Sequence, residues 1–360
     1  MSITTFIRDK QHAAKLKPLR PPPPRKLGMP LRVPPRSKRY GLIGTAFDYL
    51  LRFEMKRRAP HAISKPWAAA SSLERLFRRV KQADGSYRSL IPDDQLAPMA
   101  PLVAGDSIDD LGDSVSLGLE KSMDDKGRAY EFEFSVTVAR QPGETYHGSL
   151  DIAFRVGRRA LKIIENVRAT YATFIERRKV RREDQEALAR CCIRLAKVDI
   201  VLRAGMVDPT MLQEPQPDDV AELIDLLGVV PFDSLLNQER LILNPTFGEA
   251  STRIGGADSD LISGDMLVDF KTTKEDSVDV QSLDQLLGYF LLSRNERTRK
   301  PNFPEINRLG LYFTRHGFLW VWPASQWVDH PRFEEIERWF VATALEPARK
   351  SLSNKPSKAC

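Results

Sequence analysis

The chain has 360 residues, and 42% of them are hydrophobic, which is the make-up of a soluble globular protein with a substantial core. Its apolar runs fall short of the ~18 residues that a membrane helix needs, and the first residues lack a secretion signal, so we expect a cytoplasmic protein with no membrane partner. The three cysteines, Cys191, Cys192 and Cys360, match neither a disulfide framework nor a metal-binding motif. The formal net charge of +7, concentrated in residues 8–39 and 177–182, fits a polyanionic partner.

The beginning of the chain is rich in lysine, arginine and proline, and it includes the run Arg20-Pro-Pro-Pro-Pro-Arg25-Lys26. Because proline runs break helices and sheets, residues 1–40 are predicted to form a disordered basic tail with polyproline II character. Such a tail is a plain solvated leader, a sliding contact to phosphates, or a docking peptide for a protein partner such as a helicase.

Two helices are predicted after this tail. In residues 41–58, Leu42, Phe47 and Leu51 fall at helical spacing, and the segment ends in three basic residues that suit a helix C-terminus. A second helix is predicted over residues 66–82. We assign residues 41–86 to the N-terminal helices of an α/β core.

Residues 87–238 are predicted to be a mostly helical insertion, and they are a second candidate contact for a protein partner. Residues 87–130 lack a regular pattern, residues 130–137 alternate as a strand does, and residues 149–206 are helical with a break near 180–184. One more helix is predicted over residues 218–227. A dense basic run at the break is either a solvated helix face or a phosphate-binding ridge, and it consists of Arg177, Arg178, Lys179, Arg181 and Arg182.

The pattern from residue 239 to residue 350 is that of an α/β core with a mixed central sheet flanked by helices. Short strands are predicted at 240–244, 251–262 and 266–272, the last two joined by a Ser-Gly-Asp turn. A helix over 280–293, a hairpin of 307–314 with 318–322, and a closing helix over 333–349 follow. Residues 351–360 are predicted to be a flexible tail.

Acidic residues are concentrated on the predicted strand pair. Asp258 follows two glycines, and Asp269 and Lys271 share one face of the next strand because side chains alternate along a strand. Two carboxylates on neighbouring strands form a hard, oxygen-rich site suited to Mg²⁺ or Mn²⁺, and the backbone carbonyl of Phe270 is a further candidate ligand. Lys271 is placed to assist an attacking water or to neutralise charge on a phosphate. Asp260 is the alternative ligand to Asp258.

Two polar residues follow on the predicted helix. Gln285 and Tyr289 are four positions apart and therefore lie on one helix face. Taken alone, this pair describes a polar surface helix. Directly after the acidic strand pair, it indicates two groups that position a phosphate backbone.

The order Gly-x-x-Asp, Asp-x-Lys and Gln-x-x-x-Tyr resembles the PD-(D/E)XK nuclease superfamily, most closely its RecB-like and Cas4-like branch. In that branch an upstream helix often reads Gly-Thr-x-x-His, where the histidine is a metal ligand. This chain has Gly44-Thr45-Ala46-Phe47-Asp48, so the resemblance implies Asp48 as a metal ligand in place of histidine. The resemblance covers residues 41–58 and roughly 240–323, and it does not extend to the iron–sulfur cysteines of the Cas4-like proteins.

The resemblance implies a restriction-endonuclease-like core and a metal-dependent nuclease that hydrolyses DNA. Asp258, Asp269 and Lys271 are then the catalytic residues, Asp48 joins the two aspartates as a metal ligand, and Mg²⁺ or Mn²⁺ is the cofactor. The chain is alternatively a non-catalytic nucleic-acid-binding or assembly protein that keeps the fold, or a nuclease that acts on RNA. By analogy, DNA repair, anti-phage defence and mobile-element processing are the candidate pathways.

Overall fold

The computed structural model describes residues 2–22, 26–64, 67–106, 114–123, 129–137 and 142–345. A mixed six-stranded sheet lies at its centre, with helices on both faces. The described residues contain ten strands: six form this sheet, and β2 with β3 and β4 with β5 form two separate pairs. They are β1 (Ile63–Ser64), β2 (Arg79–Lys81), β3 (Tyr87–Ser89), β4 (Ser114–Met123), β5 (Ala129–Thr137), β6 (Leu241–Leu243), β7 (Leu261–Ser263), β8 (Met266–Lys271), β9 (Arg308–Phe313) and β10 (Phe318–Pro323).

The helices of the described residues fall into a group that precedes β6 in the chain and a group that follows it. The first group is α1 (Ile3–Arg8), α2 (Lys10–Leu16), α3 (Tyr40–Arg58), α4 (Ala68–Phe77), α5 (Asp93–Leu96), α6 (Gly148–Ile175), α7 (Arg182–Ala204), α8 (Pro217–Gly228) and α9 (Phe232–Leu236). The second group is α10 (Gly248–Arg253), α11 (Val280–Arg299), α12 (Ser325–Val328) and α13 (Phe333–Phe340). Turns of 3₁₀ helix cover Lys17–Leu19 and Ala97–Val103, and a π-helical turn covers Val341–Leu345. None of the described helices has the length and apolar character needed to cross a membrane.

The central sheet has the order β1-β6-β7-β8-β9-β10. Strands β1 and β6 run parallel, as do β8 and β9, whereas the other neighbours are antiparallel. The hairpin between β7 and β8 pairs Leu261 with Val268 and turns at Gly264, whose φ of +61° suits glycine. This register brings the residues just before β7 beside the end of β8, and it confirms the predicted pairing of the acidic strands.

Both faces of this sheet are buried, each in its own hydrophobic core. Val268 and Leu261 belong to the first core, whereas Leu267 and Ile262 belong to the second. Buried side chains of α3, α4, α6, α7 and α8 complete the first core, and those of α1, α11 and α13 complete the second. The expected mixed sheet flanked by helices is therefore confirmed as a three-layer arrangement.

The helices of residues 148–228 share the first core with the N-terminal helices. Helix α7 packs along both α3 and α4, and α6 packs against α4 as well. The region predicted as an insertion is thus continuous with the layer that covers one sheet face. The predicted break between its two long helices is confirmed at residues 176–181, where the Asp184 carboxylate accepts a hydrogen bond from the Arg181 backbone N–H at 3.0 Å.

The prediction of a disordered tail over residues 1–40 is wrong for residues 2–22. Helices α1 and α2 form there, and Ile3, Phe6 and Ile7 are buried in the second core against α11 and α13. Their i, i+3, i+4 spacing is that of an amphipathic helix, a signal that the prolines further on obscured. Residues 26–39 form no helix or strand, yet Leu27 and Val33 are buried. Residues 23–25 of the proline run lie outside the described residues.

Four local predictions also differ from the structure. The strand predicted over 251–262 is limited to β7, because α10 and a turn through Gly255 and Gly256, both with positive φ, precede it. The helix predicted over 66–82 ends at Phe77 and gives way to β2. The segment 87–130, predicted to be irregular, contains β3, α5 and β4. The closing helix ends at Phe340, and a π-helical turn follows to Leu345. The predicted tail 351–360 lies outside the described residues.

A buried ion pair attaches the N-terminal segment to α11. The Arg20 guanidinium donates two hydrogen bonds of 2.7 Å to the Asp284 carboxylate, whose side chain is only 2% exposed. Removing one partner of such a pair leaves an uncompensated buried charge.

We expect Arg20→Ala to lower the free energy of unfolding by about 3 kcal/mol in chemical denaturation. Arg8→Ala, which changes an exposed arginine of α1, is the matched control and should leave it within about 0.5 kcal/mol. Equal effects of the two substitutions would contradict this role of Arg20.

Candidate active site

A cleft of about 1050 Å³ opens between the two helical layers. Residues of α3 and α7 line it from the first layer, and residues of α11 together with the start of the chain line it from the second. Asp260, directly before β7, and Asp269, near the end of β8, lie between them. The charged residues that line this cleft are Asp48, Arg203, Asp258, Asp260, Asp269, Lys271, Glu275 and Asp279.

Lys271 connects the end of β8 to helix α11. Its ammonium lies 2.5 Å from Oδ2 of Asp269 and donates a hydrogen bond of 2.8 Å to Oε1 of Gln285. The Gln285 amide in turn donates to the Tyr289 hydroxyl at 2.7 Å. The sequence pattern that placed Asp269 and Lys271 on one strand face, and Gln285 and Tyr289 on one helix face, thus corresponds to one continuous chain of contacts.

Tyr289 ends this chain as a protonated hydroxyl. Burial raises its pKa well above the usual value, and the charges of Asp269, Asp258 and Asp260 raise the pKa further. The ring is 3% exposed and stacks on Phe247, with 5.7 Å between the ring centroids. A rigid hydroxyl that keeps its proton can donate a hydrogen bond to an anionic ligand in the cleft.

Asp258 and Asp260 both line the cleft, but they have different surroundings. Asp260 directly precedes β7, beside Asp269 in the hairpin register, and its carboxylate accepts a short hydrogen bond from the Phe270 backbone N–H. Asp258 is exposed, and its backbone forms an isolated antiparallel β-bridge with Thr246. The residue weighed as the alternative ligand is therefore the one that the structure places next to Asp269.

Asp48 reaches the same cleft from α3. The amide of Asn244 donates to both of its carboxylate oxygens, at 3.4 and 3.5 Å. Asn244 follows β6 with a φ of +48°, a left-handed conformation that asparagine tolerates. Its backbone N–H donates to the Asp260 carbonyl at 2.9 Å. One residue thus ties the α3 carboxylate to the strand that carries Asp260.

The cluster of carboxylates is electrostatically unfavourable as it stands. Burial raises the pKa of Asp260 well above its usual value, and the charges of Asp269 and Asp48 raise the pKa further. Burial also raises the pKa of Asp48; the charge of Asp258 adds to this shift, and the nearby arginines Arg52 and Arg203 oppose it. A cation placed among these oxygens would remove this cost.

The donor set fits a small hard cation. In the described part of the chain, no three His, Cys, Asp or Glu side chains converge as a ready-made metal-binding group. Mg²⁺ and its relatives, however, are usually bound through one or two carboxylates and complete their coordination with water and phosphate oxygens. Asp260 and Asp269 supply such a pair, with Asp48, Asp258 and the Phe270 carbonyl as further oxygen donors from the cleft lining.

The basic run at 177–182 does not line this cleft. Arg177 lies near the C-terminal end of α3, because its backbone carbonyl accepts a hydrogen bond from Arg57 in the last turn of that helix. Arg177 and Arg181 pair with Asp184, and Arg182 pairs with Glu186. The structure thus brings Arg177, Arg178, Lys179, Arg181 and Arg182 together in the turn before α7 and at its first residue, apart from the acidic residues of the cleft.

Arg203 is a cleft residue that the sequence reasoning missed. It lies in the last turn of α7, and its side chain is 51% exposed. The only local signal is Asp199, four residues earlier, and such pairs are common on helix surfaces. Its approach to Asp48 and Asp258 depends on how α7 packs against α3, which the local sequence does not specify.

No family model, curated protein or solved structure matches the chain. The residues of the cleft and their chemistry are therefore what a function must be inferred from.

Proposed function

We propose that this protein is a divalent-metal-dependent nuclease that hydrolyses phosphodiester bonds of DNA. One observation carries the proposal: Lys271 joins Asp269 to Gln285 and Tyr289 in a cleft that Asp48, Asp258 and Asp260 also line. The cleft thereby combines carboxylates that can hold a metal, the Lys271 ammonium that can face a phosphate, and polar groups that can contact the nucleic-acid backbone. The mixed sheet with helices on both faces is compatible with a restriction-endonuclease-like core and with the PD-(D/E)XK resemblance.

The reaction consumes one water, whose oxygen forms a bond to phosphorus while the bond from phosphorus to the leaving oxygen breaks and that oxygen takes up a proton. Mg²⁺ or Mn²⁺, when bound, supplies charge that polarises a phosphoryl oxygen and makes water more acidic. Asp260 and Asp269 would hold the cation, with Asp48 and Asp258 as further oxygen donors from the cleft lining. Lys271, released from Asp269, faces the phosphate and stabilises the negative charge that develops there.

Gln285 and Tyr289 have a positioning task in this scheme. The Gln285 carbonyl oxygen fixes the Lys271 ammonium, and its amide group fixes the Tyr289 hydroxyl. The hydroxyl keeps its own proton for donation to a phosphate oxygen of the bound strand. A strand lying along α11 would in this way present its phosphate to Lys271.

We expect the purified protein to degrade DNA in Mg²⁺ or Mn²⁺ and to be inactive in EDTA. Asp269→Asn should reduce the cleavage rate by at least about a hundredfold, because it removes a cation ligand and the partner of Lys271. Asp265→Asn is the control, since Asp265 lies in the turn of the same hairpin, outside the cleft lining, and pairs with Arg308. Gel assays on single-stranded DNA, duplex DNA and RNA under one metal condition measure both rate and substrate class.

Two results would overturn this proposal. Cleavage that persists in folded Asp269→Asn protein would show that the activity belongs to another site or to a contaminant. Nucleic-acid binding without any cleavage, combined with no Mn²⁺ binding in calorimetry, would favour a non-catalytic binding protein that keeps the fold. Preferential cleavage of RNA would keep the site assignment and change the substrate.

A further inference from the structure

We propose that Arg203 is the residue that binds a phosphate of the nucleic-acid strand on the wall of the cleft contributed by the first helical layer. This inference rests on the proposed nuclease function and names a contact that the motif residues do not include. The phosphate backbone is then bound at the end of α7, and not at the start of that helix, where the basic run lies.

The two ends of α7 lie in different surroundings. Arg182 begins this helix and Arg203 lies 21 positions later, a separation of about 30 Å at 1.5 Å per residue. Only the later end, through Leu202 and Arg203, lines the cleft. A phosphate held near the acidic cluster is therefore within reach of Arg203 and far from Arg182.

The cleft is lined by more acidic than basic residues. Of the described residues that line it, six are acidic and two, Lys271 and Arg203, are basic. Lys271, beside Asp269 and Gln285, is assigned to the reacting phosphate in the proposed reaction. A cleft with this excess of carboxylates repels a polyanion at every point except beside its cations, so the position of Arg203 determines where a second phosphate can lie.

A buried carboxylate holds the Arg203 guanidinium in place. Its Nε donates a hydrogen bond of 2.7 Å to Oδ2 of Asp199, whose side chain is fully buried. A guanidinium has five N–H donors in a planar fork, so this contact fixes the group and leaves donors for a phosphate. Asp199 is thus a positioning residue for Arg203.

The cleft also has exposed apolar and aromatic side chains. Leu202, 39% exposed, and Tyr40, 45% exposed, line the same cleft. Exposed apolar and aromatic groups in one cleft with an arginine are a combination with which proteins bind single strands, the ring stacking on a base while the arginine binds the backbone. Arg203 and α11 lie on opposite sides of the sheet, so a strand held by both would cross the acidic residues.

The test is binding of a fluorescently labelled single-stranded oligonucleotide, measured by anisotropy in EDTA over a series of salt concentrations. Arg203→Gln is expected to raise Kd about tenfold and to lower the slope of log Kd against log salt by about 0.7, the value for one phosphate contact to a single strand. Arg203→Lys keeps the charge without the Nε contact, so it should restore the slope but only part of the affinity.

The control is Arg190→Gln, which changes a half-buried arginine of the same helix outside the cleft lining and should bind as the wild type does. If Arg203→Gln fails to fold because Asp199 loses its partner, the double variant Asp199→Asn with Arg203→Gln removes both charges and takes its place. Binding and salt slope unchanged in a folded Arg203 variant would overturn the inference.

The measurement also separates this inference from the proposed nuclease function, because binding in EDTA needs no cleavage. Weakened binding by Arg203→Gln in a protein that never cleaves DNA would support the phosphate contact and remove the nuclease. Cleavage that depends on Asp269, together with binding that is unchanged in Arg203→Gln, would support the nuclease and contradict the phosphate contact.

Discussion

Lys271→Met is expected to reduce DNA cleavage by at least about a hundredfold while Mn²⁺ binding persists. The ammonium contacts Asp269 and Gln285, and in the proposed reaction it stabilises charge that develops on the phosphate. Its loss therefore removes an interaction with the reacting group and leaves the carboxylate oxygens in place. Single-turnover cleavage assays measure the rate, and calorimetry with Mn²⁺ reports on the metal site.

Lys162→Met is the matched control for this substitution, because Lys162 is an exposed lysine of α6 outside the cleft lining. It should cleave at the wild-type rate. A Lys271→Met protein that cleaves as fast as this control would remove Lys271 from the reaction, whereas loss of Mn²⁺ binding would assign Lys271 a role in holding the carboxylates.

The second large effect is expected at Asp260. Asp260→Asn should weaken Mn²⁺ binding by about a hundredfold, because it removes the carboxylate charge next to Asp269. In EDTA the same variant should unfold about 2 °C higher than the wild type, since one of several mutually repelling carboxylates is gone. Calorimetry and thermal unfolding with and without Mn²⁺ measure the two effects.

Asp258→Asn is the comparison that decides between the two aspartates. Asp258 is exposed, so its substitution should change the unfolding temperature in EDTA less than Asp260→Asn does. If Mn²⁺ binding is lost in Asp258→Asn and kept in Asp260→Asn, the ligand is Asp258, as the Gly-x-x-Asp order in the sequence indicates.

The strand and helix carrying the motifs could be predicted because their signals are local. Alternation along β8 places Asp269 and Lys271 on one side, and the four-residue spacing on α11 places Gln285 beside Tyr289. The contact between Lys271 and Gln285 follows from the helix packing directly after the strand. Such relations survive errors of a few residues in the predicted bounds.

The remaining features depend on packing between distant segments. The pairing of Asp260 rather than Asp258 with Asp269 is a matter of register, and register depends on the two-residue turn at Gly264 and Asp265. The helices at the start of the chain are stabilised by burial against α11, which short helices require because they are marginal alone. Arg203 enters the cleft only because α7 lies along α3.

The docking of the first residues has a practical consequence for recombinant protein. Ser2, Ile3 and Thr4 line the cleft, and the Ile3 backbone N–H donates to the Gly256 carbonyl at 3.1 Å, two residues before Asp258. An affinity tag fused ahead of Ser2 would therefore begin at the mouth of the cleft and compete with a bound strand for the same space. A tag that is cleaved off before assay keeps the entrance free.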